Sequence, residues 1–477
     1  MENFENIMTK PSLEDFTALI LAAGKGTRMM SDLPKILHEL LKKPMLWYLL
    51  NTFAKMGFNR NLVVTGHGHD LLEKKFPDHL NDFIFQSRQL GTGHALQEAW
   101  PAIKKTGSRW LVVAGGDTPL VSANNLEQLI ACAGATDADM GLLSLNLEDP
   151  AGYGRVARDK SGRVRAVIEA RDYNPEEHGP FSGEVNSGIY FFRVSSLSRI
   201  IFDLDANNAQ KEFYITQLVS LAYERNMNVQ AVSAGDCPEL LGINSPAELL
   251  AQEEYLRANL VDRLISHGVI IRCKDQVRIG PEVVIDPGAD ITGPCEIYGA
   301  SFVAGGTRIN SHCYIDESFI RDSEIFSFSH IQGSDIYEGT TVGPFARLRP
   351  GTLMKKGSKA GNFVEVKNSS IGEYSKVNHL SYIGDTMMDR EVNIGAGTIT
   401  CNYDGRSKNR TIIEKQVFIG SNSSLVAPVR IGEGSMVGAG STITSDVPGE
   451  SLGIARSRQK NLKGKNPLKN NKNITKD

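Results

Sequence analysis

The chain is 477 residues long, which exceeds the size at which one hydrophobic core usually keeps growing, so at least two domains are expected. Its 52 basic and 55 acidic side chains give a net charge of -3, which provides no basis for a nucleic-acid or anionic-membrane partner. The six cysteines are scattered without CxxC pairs, so neither a zinc site nor a disulfide framework is indicated. Small molecules are the expected ligands.

The first residues of the sequence lack the pattern that is typical of a secretion signal. Residues 1–16 lack a basic start followed by an apolar stretch, and no long uncharged apolar run occurs later. We therefore expect an N-terminal tail over 1–16, no secretion, no membrane span and a cytoplasmic location.

Between residues 17 and 250, short aliphatic runs alternate with amphipathic stretches. The runs TALILAAG, NLVVTG and WLVVAGGD are separated by helical patterns such as KILHELLKKPMLWYLLNTFAKMG. Continuous aliphatic runs are typical of parallel strands that helices cover on both faces. The segment is therefore predicted to be an α/β domain.

A glycine-rich turn follows the first predicted strand. Gly24 and Gly26 precede Thr27 and Arg28 in LILAAGKGTRM. Backbone N–H groups in such a turn can approach phosphates, and Arg28 can hold a triphosphate. Because the segment matches neither GxGxxG nor the Walker spacing, it is by itself also compatible with a plain strand-to-helix turn.

More polar motifs follow in order. Lys35 in SDLPK supplies a second cation, and Asp117 ends the run WLVVAGGD, at the strand edge where ligands of open α/β sheets collect. QLGTGHA, GYGR, IEARD, EVNSGIY and GINSP complete the set. Together these motifs resemble those of nucleoside-triphosphate sugar-phosphate transferases, and of uridylyltransferases in particular. The resemblance implies a Rossmann-like fold, Arg28 and Lys35 as catalytic cations, and one Mg²⁺ held by Asp117 and Asn244.

The resemblance also implies a set of residues for UTP and the UDP-sugar. Those for the nucleotide and the sugar are Leu21, Ala22, Ala23, Gly24, Lys35, Gln86, Gly91, Thr92, Gly115, Gly116, Asp117, Gly154, Glu169, Asn186 and Asn244. Gln86 lies on the uracil side, whereas Glu169 and Asn186 lie on the sugar side. One departure concerns Gly115, where many relatives carry Tyr; only backbone groups remain there.

A helix is predicted from Ser245 to Gly268, with a capping Ser, a Pro next to it and Glu248 three residues on. We therefore expect a linker helix over 251–272, which joins a first domain at 17–250 to a second domain at 273–456.

Beyond the helix the hydrophobic period becomes six. Aliphatic residues recur at positions 279, 285, 291, 297, 303, 309 and 315, slip by one residue around 320–331, and recur again up to Ile443. A period of six suits one flat face of a triangular parallel β-coil with its aliphatic side chains pointing inward. The spacing leaves the handedness of the coil open.

Four polar stretches interrupt this rhythm: FARLRPG, GNFVEVK, NHLSYIGD and CNYDGRSKNRTIIEKQ. With these motifs, residues 17–456 resemble the family of bifunctional N-acetylglucosamine-1-phosphate uridyltransferases / glucosamine-1-phosphate N-acetyltransferases. The resemblance implies a left-handed parallel β-helix in a homotrimer. It also implies as substrates glucosamine 1-phosphate, acetyl-CoA, N-acetylglucosamine 1-phosphate and UTP.

In the second domain the resemblance implies that His379 is the general base, since a neutral imidazole with a pKa of about 6.5 can deprotonate an amine. It assigns the acetyl acceptor to Arg349, Lys367, Tyr382 and Asn393. It assigns acetyl-CoA to Ala396, Asn402, Tyr403, Ser421, Ala439 and Arg456.

Several alternatives stay open at this point. Arg347 would share a strand face with Arg349 and competes for the phosphate. Cys401 as a nucleophile is the minority alternative. A single-activity nucleotidyltransferase and a non-enzymatic scaffold are the rival functions. The Lys- and Asn-rich residues 457–477 are expected to be a flexible tail.

Overall fold

The computed structural model describes residues 15–24, 26–58 and 60–466, and these residues form two compact units that divide between Leu256 and Arg257. Most of the proposed N-terminal tail and the second half of the proposed C-terminal tail lie outside the described residues. Each unit has its own hydrophobic core.

The first unit is an α/β domain built around one mixed sheet. Its described strands are β1 (Phe16–Ala22), β2 (Glu39–Leu40), β3 (Lys43–Pro44), β4 (Arg60–Thr65), β5 (Asn81–Phe85), β6 (Trp110–Gly115), β7 (Met140–Asn146), β8 (Arg155–Arg158), β9 (Val164–Ile168), β10 (Glu184–Arg193) and β11 (Val229–Ser233). The main sheet has the order β11-β7-β10-β6-β1-β4-β5, with β8 beside β10 and β9 beside β8.

Part of the sheet departs from the parallel arrangement that the aliphatic runs indicate. β1, β4, β5 and β6 pair in parallel, but β10 is antiparallel to both β6 and β7. The chain reaches β10 after the antiparallel β8–β9 pair and the short α5, without the long helical crossover that parallel neighbours need.

Helices cover both faces of this sheet. They are α1 (Met45–Met56), α2 (His69–Lys75), α3 (Thr92–Thr106), α4 (Ala123–Thr136), α5 (Pro175–His178), α6 (Val194–Leu197) and α7 (Gln217–Glu224). Alternate residues of a strand enter opposite cores: Ile20 packs with residues of α1 and α4, whereas Leu19 packs with residues of α3 and α7. The carboxyl ends of β1 and β6 therefore lie at one edge of a rigid, doubly covered sheet.

A long helix, α8 (Pro246–Ser266), follows as the capping pattern predicts. The Ser245 hydroxyl accepts a hydrogen bond from the Glu248 backbone N–H at 3.3 Å, so Ser245 is the N-cap. Ile270–Arg272, which the sequence places in the linker, already pairs with Asp290–Thr292 as a strand of the coil. Among the described residues, no helix combines the length and the apolarity that crossing a membrane requires.

The second unit is a left-handed parallel β-helix whose short strands stack into three sheets. Sheet 1 contains Ile270–Arg272, Asp290–Thr292, Arg308–Ile309, Glu324–Ile325, Thr341–Val342, Lys359–Asn362, Lys376–His379, Asn393–Ile394, Phe418–Ile419, Met436–Val437 and Leu452–Gly453. Sheet 2 contains Val277–Ile279, Cys295–Tyr298, Cys313–Asp316, His330–Gln332, Arg347–Leu348, Glu365–Lys367, Tyr382–Gly384, Ile399–Cys401, Ser424–Val426 and Thr442–Ile443. Sheet 3 contains Val284–Ile285, Phe302–Val303, Phe319–Ile320, Ser334–Ile336, Thr352–Met354, Ser370–Ile371, Thr386–Met388, Thr411–Ile413 and Val429–Ile431.

The six-residue repeat forms the core of this coil. All seven aliphatic residues of the first run are at most 7% exposed, and neighbours in a sheet pair in register, as Ile279, Ile297 and Ile315 do. The slip in the repeat arises where Ile320 and Ile325 are five residues apart, yet both remain fully buried. A longer excursion between Cys401 and Thr411 projects a loop without interrupting the stack.

Candidate active sites

The first unit holds a cavity of about 580 Å³ at the carboxyl ends of β1 and β6. Most of the residues predicted for UTP and the UDP-sugar line it: Leu21, Ala22, Ala23, Gly24, Arg28, Lys35, Gln86, Gly91, Thr92, Gly115, Asp117, Glu169, Asn186 and Asn244. A volume in this range is typical of small-molecule sites. Residues from eight separate parts of the sequence thus meet in one place.

Gly116 and Gly154 do not line the cavity, but their backbone groups form hydrogen bonds with residues that do. The Gly116 N–H donates to the Leu21 carbonyl at 2.9 Å, and the Gly154 carbonyl accepts from the Asn186 N–H at 2.8 Å. Their contribution is to hold the strand ends that carry Asp117 and Asn186.

Three polar groups converge at one end of the cavity. The Lys35 ammonium lies 2.7 Å from the Asp117 carboxylate and 2.8 Å from the Asn244 amide oxygen. The Lys35 side chain is 11% exposed and that of Asp117 is 35% exposed. Two hard oxygen donors therefore already point at one cationic centre, which is the donor set that Mg²⁺ prefers.

Gly115 leaves room for this arrangement. A Cβ atom at position 115 would lie 2.6 Å from Asp117 Oδ1, closer than real Cβ contacts. The space that a side chain would fill is thus taken by the carboxylate. A side chain at position 115 would therefore require the Asp117 carboxylate to take another position.

A buried polar network lies in the part of the cavity that the sequence predicts for the sugar. Glu169 accepts a hydrogen bond from the Thr216 hydroxyl at 2.9 Å, and Asn186 donates to the Tyr190 hydroxyl at 2.6 Å. Burial raises the pKa of Glu169 above its usual range, and the bond from Thr216 opposes this effect. Sequence reasoning missed Tyr190, although it ends the EVNSGIY motif, and it missed Thr216, which stands in none of the motifs.

At the opposite end, Gln86 is 3% exposed and lines the cavity. Its Nε2 lies 3.3 Å from the Gly91 carbonyl oxygen and 2.8 Å from His94 Nδ1. His94 was not predicted to take part, although it stands in the QLGTGHA motif.

In the coil, His379 is exposed at the end of a sheet 1 strand. Its Nδ1 lies 2.6 Å from the side-chain oxygen of Asn362, the residue directly opposite in the neighbouring strand. Because that oxygen accepts, the Nδ1 atom carries the proton and the Nε2 atom keeps its lone pair. The sequence did not predict Asn362, since pairing depends on the length of each coil turn.

His379 belongs to a file of residues along one corner of the coil. Asn362, His379, Ala396, Ser421 and Ala439 each lie two residues beyond a buried, inward-pointing residue of sheet 1. Successive members are joined by backbone bonds to the next turn, for example from Gly397 N–H to the His379 carbonyl and from Asn422 N–H to the Ala396 carbonyl. Strands in a sheet are about 4.8 Å apart, so the file forms a narrow track next to His379.

Arg456 also reaches this track, because its guanidinium donates to the Ala439 carbonyl at 2.6 Å. Four of the six residues predicted for acetyl-CoA (Ala396, Ser421, Ala439 and Arg456) thus lie along the same corner of the coil as His379, on the turns that follow it.

Basic side chains gather on the outward face of sheet 2. Arg349 and Lys367 each follow an inward residue by one position in adjacent strands. The neighbouring Lys408 side chain lowers the pKa of Lys367, and the charge of Arg349 adds to the effect. Arg349 also lies 3.0 Å from Glu365. Neighbouring cations of this kind form a favourable binding site for a phosphate. Lys408 belongs to this basic group, although the sequence analysis did not predict it.

Tyr382 and Asn402 lie beside this group. A Cβ atom on Gly384 would come within 2.5 Å of the Tyr382 hydroxyl and 2.8 Å of the Asn402 amide nitrogen. Burial opposes ionisation of Asp385, but hydrogen bonds from Asn368 and Asn402 lower its pKa overall. Asn402 therefore lies with the basic residues in this chain and not on the track of Ala396 and Ser421.

Two further predicted residues, Asn393 and Tyr403, do not lie with the basic residues of sheet 2. Asn393 pairs with Lys376 and Phe418 on sheet 1, away from Tyr382 on sheet 2. Tyr403 is 61% exposed in the loop after Cys401, where its hydroxyl donates to the Gly405 carbonyl. A single chain does not assemble the whole predicted acceptor site.

Fold and cavities together define a nucleotidyltransferase unit followed by a hexapeptide-repeat transferase unit. A family model described as MobA-like NTP transferase domain matches residues 18–168, and one described as bacterial transferase hexapeptide (six repeats) matches residues 410–445.

Curated relatives match nearly the whole chain. The "Bifunctional protein GlmU" of Oleidesulfovibrio alaskensis is 47% identical over 94% of this chain and 97% of its own length. The proteins of the same name from Nitratidesulfovibrio vulgaris strain Hildenborough and Carboxydothermus hydrogenoformans are 46% and 42% identical, each over 93% of this chain and 97% and 98% of their own lengths. The chain belongs to the GlmU family of bifunctional proteins and is a transferase enzyme.

Proposed function

We propose that the chain catalyses two consecutive steps of UDP-N-acetylglucosamine synthesis. The coil transfers an acetyl group from acetyl-CoA to glucosamine 1-phosphate, and the first unit transfers uridylyl from UTP to the resulting N-acetylglucosamine 1-phosphate. The observation that carries this proposal is that one chain holds a cation-lined cavity of nucleotide size and, in the coil, both an exposed imidazole and a cluster of cations that could bind a phosphate.

In the first unit, a phosphate oxygen of the sugar phosphate attacks the α-phosphorus of UTP, and pyrophosphate leaves. The attacking phosphate is already ionised, so the protein has only to align two anions and neutralise their charge. The exposed guanidinium of Arg28 and the ammonium of Lys35 face the cavity and supply that charge.

Asp117 and Asn244 would hold the Mg²⁺, since their oxygens already meet around the Lys35 ammonium. The bound ion would neutralise phosphate charge. Lys35 is then free to move its ammonium toward a phosphate oxygen, while Glu169 and Asn186 bond the sugar hydroxyls and the acetamido group.

In the coil, the amine of glucosamine 1-phosphate attacks the thioester carbon of acetyl-CoA. His379 Nε2 accepts the proton from the amine, and the bond from Nδ1 to Asn362 stabilises the imidazolium that forms. Collapse of the tetrahedral intermediate expels CoA as a thiolate. Arg349, Lys367 and Lys408 hold the sugar phosphate, with Tyr382 on the sugar.

The incomplete acceptor and acetyl-CoA sites of the single chain support self-association, for which we propose a homotrimer. Asn393, Asn402 and Tyr403 are separated in one chain from the groups with which they would act. A groove between coils of neighbouring chains would bring them together, and we propose this as the role of self-association. A location in the cytoplasm, where UTP and acetyl-CoA are made, fits both activities.

Two variants test whether each unit carries out one of the two reactions. Asp117→Ala should abolish UDP-sugar formation and leave acetyl transfer intact, whereas His379→Ala should do the reverse. Glucosamine 1-phosphate, acetyl-CoA, UTP and Mg²⁺ are supplied together, and all products are identified. Loss of both activities in either variant, or of neither, would contradict the assignment.

A further inference from the structure

The hydrogen bonds of Gln86 determine which end of its amide faces the cavity. One partner is the Gly91 carbonyl oxygen, 3.3 Å away, and a carbonyl can only accept. The Gln86 atom beside it must therefore be the amide nitrogen. The Gln86 Oε1 atom receives no hydrogen bond from the described residues, which leaves it available to a ligand in the cavity that Gln86 lines.

The second partner, His94, must match this orientation. His94 Nδ1 lies 2.8 Å from the Gln86 amide nitrogen, so it has to be an acceptor, and the ring proton has to be on Nε2. One helical turn further along α3, Glu98 Oε1 lies 3.4 Å from that Nε2 atom. A carboxylate accepts only, so Glu98 favours the tautomer that Gln86 requires.

We infer that His94, held in one tautomer by Glu98, is a positioning residue that makes the site select bases with a ring N–H facing Gln86. Uracil presents a donor at N3, which the Gln86 carbonyl accepts. Cytosine presents a lone pair at the same position, which the carbonyl repels. The inference rests on the proposed uridylyl transfer and adds a reason for the choice of nucleotide.

The test compares kcat/KM for UTP and CTP in purified full-length enzyme with N-acetylglucosamine 1-phosphate and Mg²⁺. His94→Ala removes one of the two bonds that orient the amide. We expect the preference for UTP over CTP to fall about tenfold, the usual effect of one hydrogen bond, mainly through a higher KM for UTP. A role in packing alone would lower both kcat/KM values together and leave their ratio unchanged.

Three further variants separate the possible causes. Glu98→Gln keeps an oxygen acceptor for His94 Nε2 and should preserve the ratio, whereas Glu98→Leu should lower it. His178, whose Nδ1 atom lies 3.0 Å from the Asn174 carbonyl oxygen and which does not line the cavity, provides the matched control, and His178→Ala should leave the ratio unchanged.

The outcomes distinguish this inference from the function on which it rests. A wild-type enzyme that uses neither nucleotide would overturn the proposed uridylyl transfer. A wild-type enzyme that prefers UTP, together with His94→Ala and Glu98→Leu variants that keep the same preference, would overturn the role of His94 alone.

Discussion

Asp117 owes its position to the residue two places before it. A Cβ atom at position 115 would meet Asp117 Oδ1 at 2.6 Å, so the carboxylate, whose other oxygen contacts Lys35, has to shift or turn when a methyl group is added there. A misplacement of about 1 Å at a catalytic group can lower the rate by about 100-fold. The missing side chain is thus part of the catalytic arrangement in this chain.

Gly115→Ala should therefore lower uridylyl transfer by roughly one to two orders of magnitude and leave acetyl transfer unchanged. Gly152→Ala is the matched control, because a Cβ atom at position 152 meets nothing within 4 Å. Both activities are measured by product release from the same preparations. Equal uridylyl transfer in the two variants would show that Asp117 tolerates the added methyl group.

Glu169 gives the uridylyl reaction a pH dependence of definite sign. Burial raises its pKa, so it loses its proton at a higher pH than an exposed glutamate does. Since the carboxylate is the form that accepts hydrogen bonds from sugar hydroxyls, the KM for N-acetylglucosamine 1-phosphate should fall as the pH rises through this raised pKa.

The variant Glu169→Gln separates this effect from titration of the substrate phosphate. Its KM should be higher than that of the wild type at neutral pH, and the part of the pH dependence due to Glu169 should be absent. A wild-type profile in the variant would mean that another group titrates.

At the scale of elements, the period of six identifies the coil because each inward side chain is buried between the inward side chains of the turns before and after it. Ile371, Met388 and Ile413 follow one another in sheet 3 and are 0%, 3% and 1% exposed. The adjacent Met387 points outward and is 50% exposed. Two neighbouring methionines thus differ only in the face that they occupy.

Met388→Ala should lower the free energy of unfolding of the coil by about 2–5 kcal/mol, because it leaves a cavity between two turns. Met387→Ala should change it by no more than about 0.5 kcal/mol. Urea unfolding followed by circular dichroism measures both. Similar losses in the two variants would contradict the assignment of the inward face.

The aliphatic pattern predicts which residues are inside but carries little information on pairing. It predicted the buried residues of the coil and the strand ends that carry Asp117. It did not predict the antiparallel β10, since a buried strand has the same pattern in either direction. Asn362 opposite His379 and Lys408 beside Lys367 were also missed, because turns of 16 to 18 residues and a loop outside the repeat decide those contacts.

At the scale of the whole molecule, one corner of the coil exposes a column of apolar side chains. His312, Phe328, Phe345 and Phe363 stack with ring centroids 4.6, 4.8 and 5.3 Å apart, and Leu380 follows on the next turn. Phe328, Phe345 and Phe363 are 49%, 47% and 56% exposed. All five residues of this corner column have positive φ angles between 51° and 64°.

Bulky residues in this conformation cost roughly 1–2 kcal/mol each, and mutual stacking offsets only part of that cost. A continuous apolar stripe of this kind is typical of an interaction surface. In the sequence, Phe363 directly follows Asn362 and Leu380 directly follows His379. A second chain that contacts the corner column would therefore also lie near the imidazole. The corner column therefore supports a coil-to-coil contact in the proposed homotrimer.

Phe345→Ser should weaken this contact, because it removes the middle ring of the stack and places a hydroxyl in the apolar stripe. Sedimentation velocity at several concentrations should show trimers dissociating at a higher protein concentration than in the wild type, and acetyl transfer should fall with the trimer fraction while uridylyl transfer persists. Phe202→Ser is the matched control, since Phe202 is 64% exposed in the first unit. An unchanged trimer in Phe345→Ser would place the contact on another face of the coil.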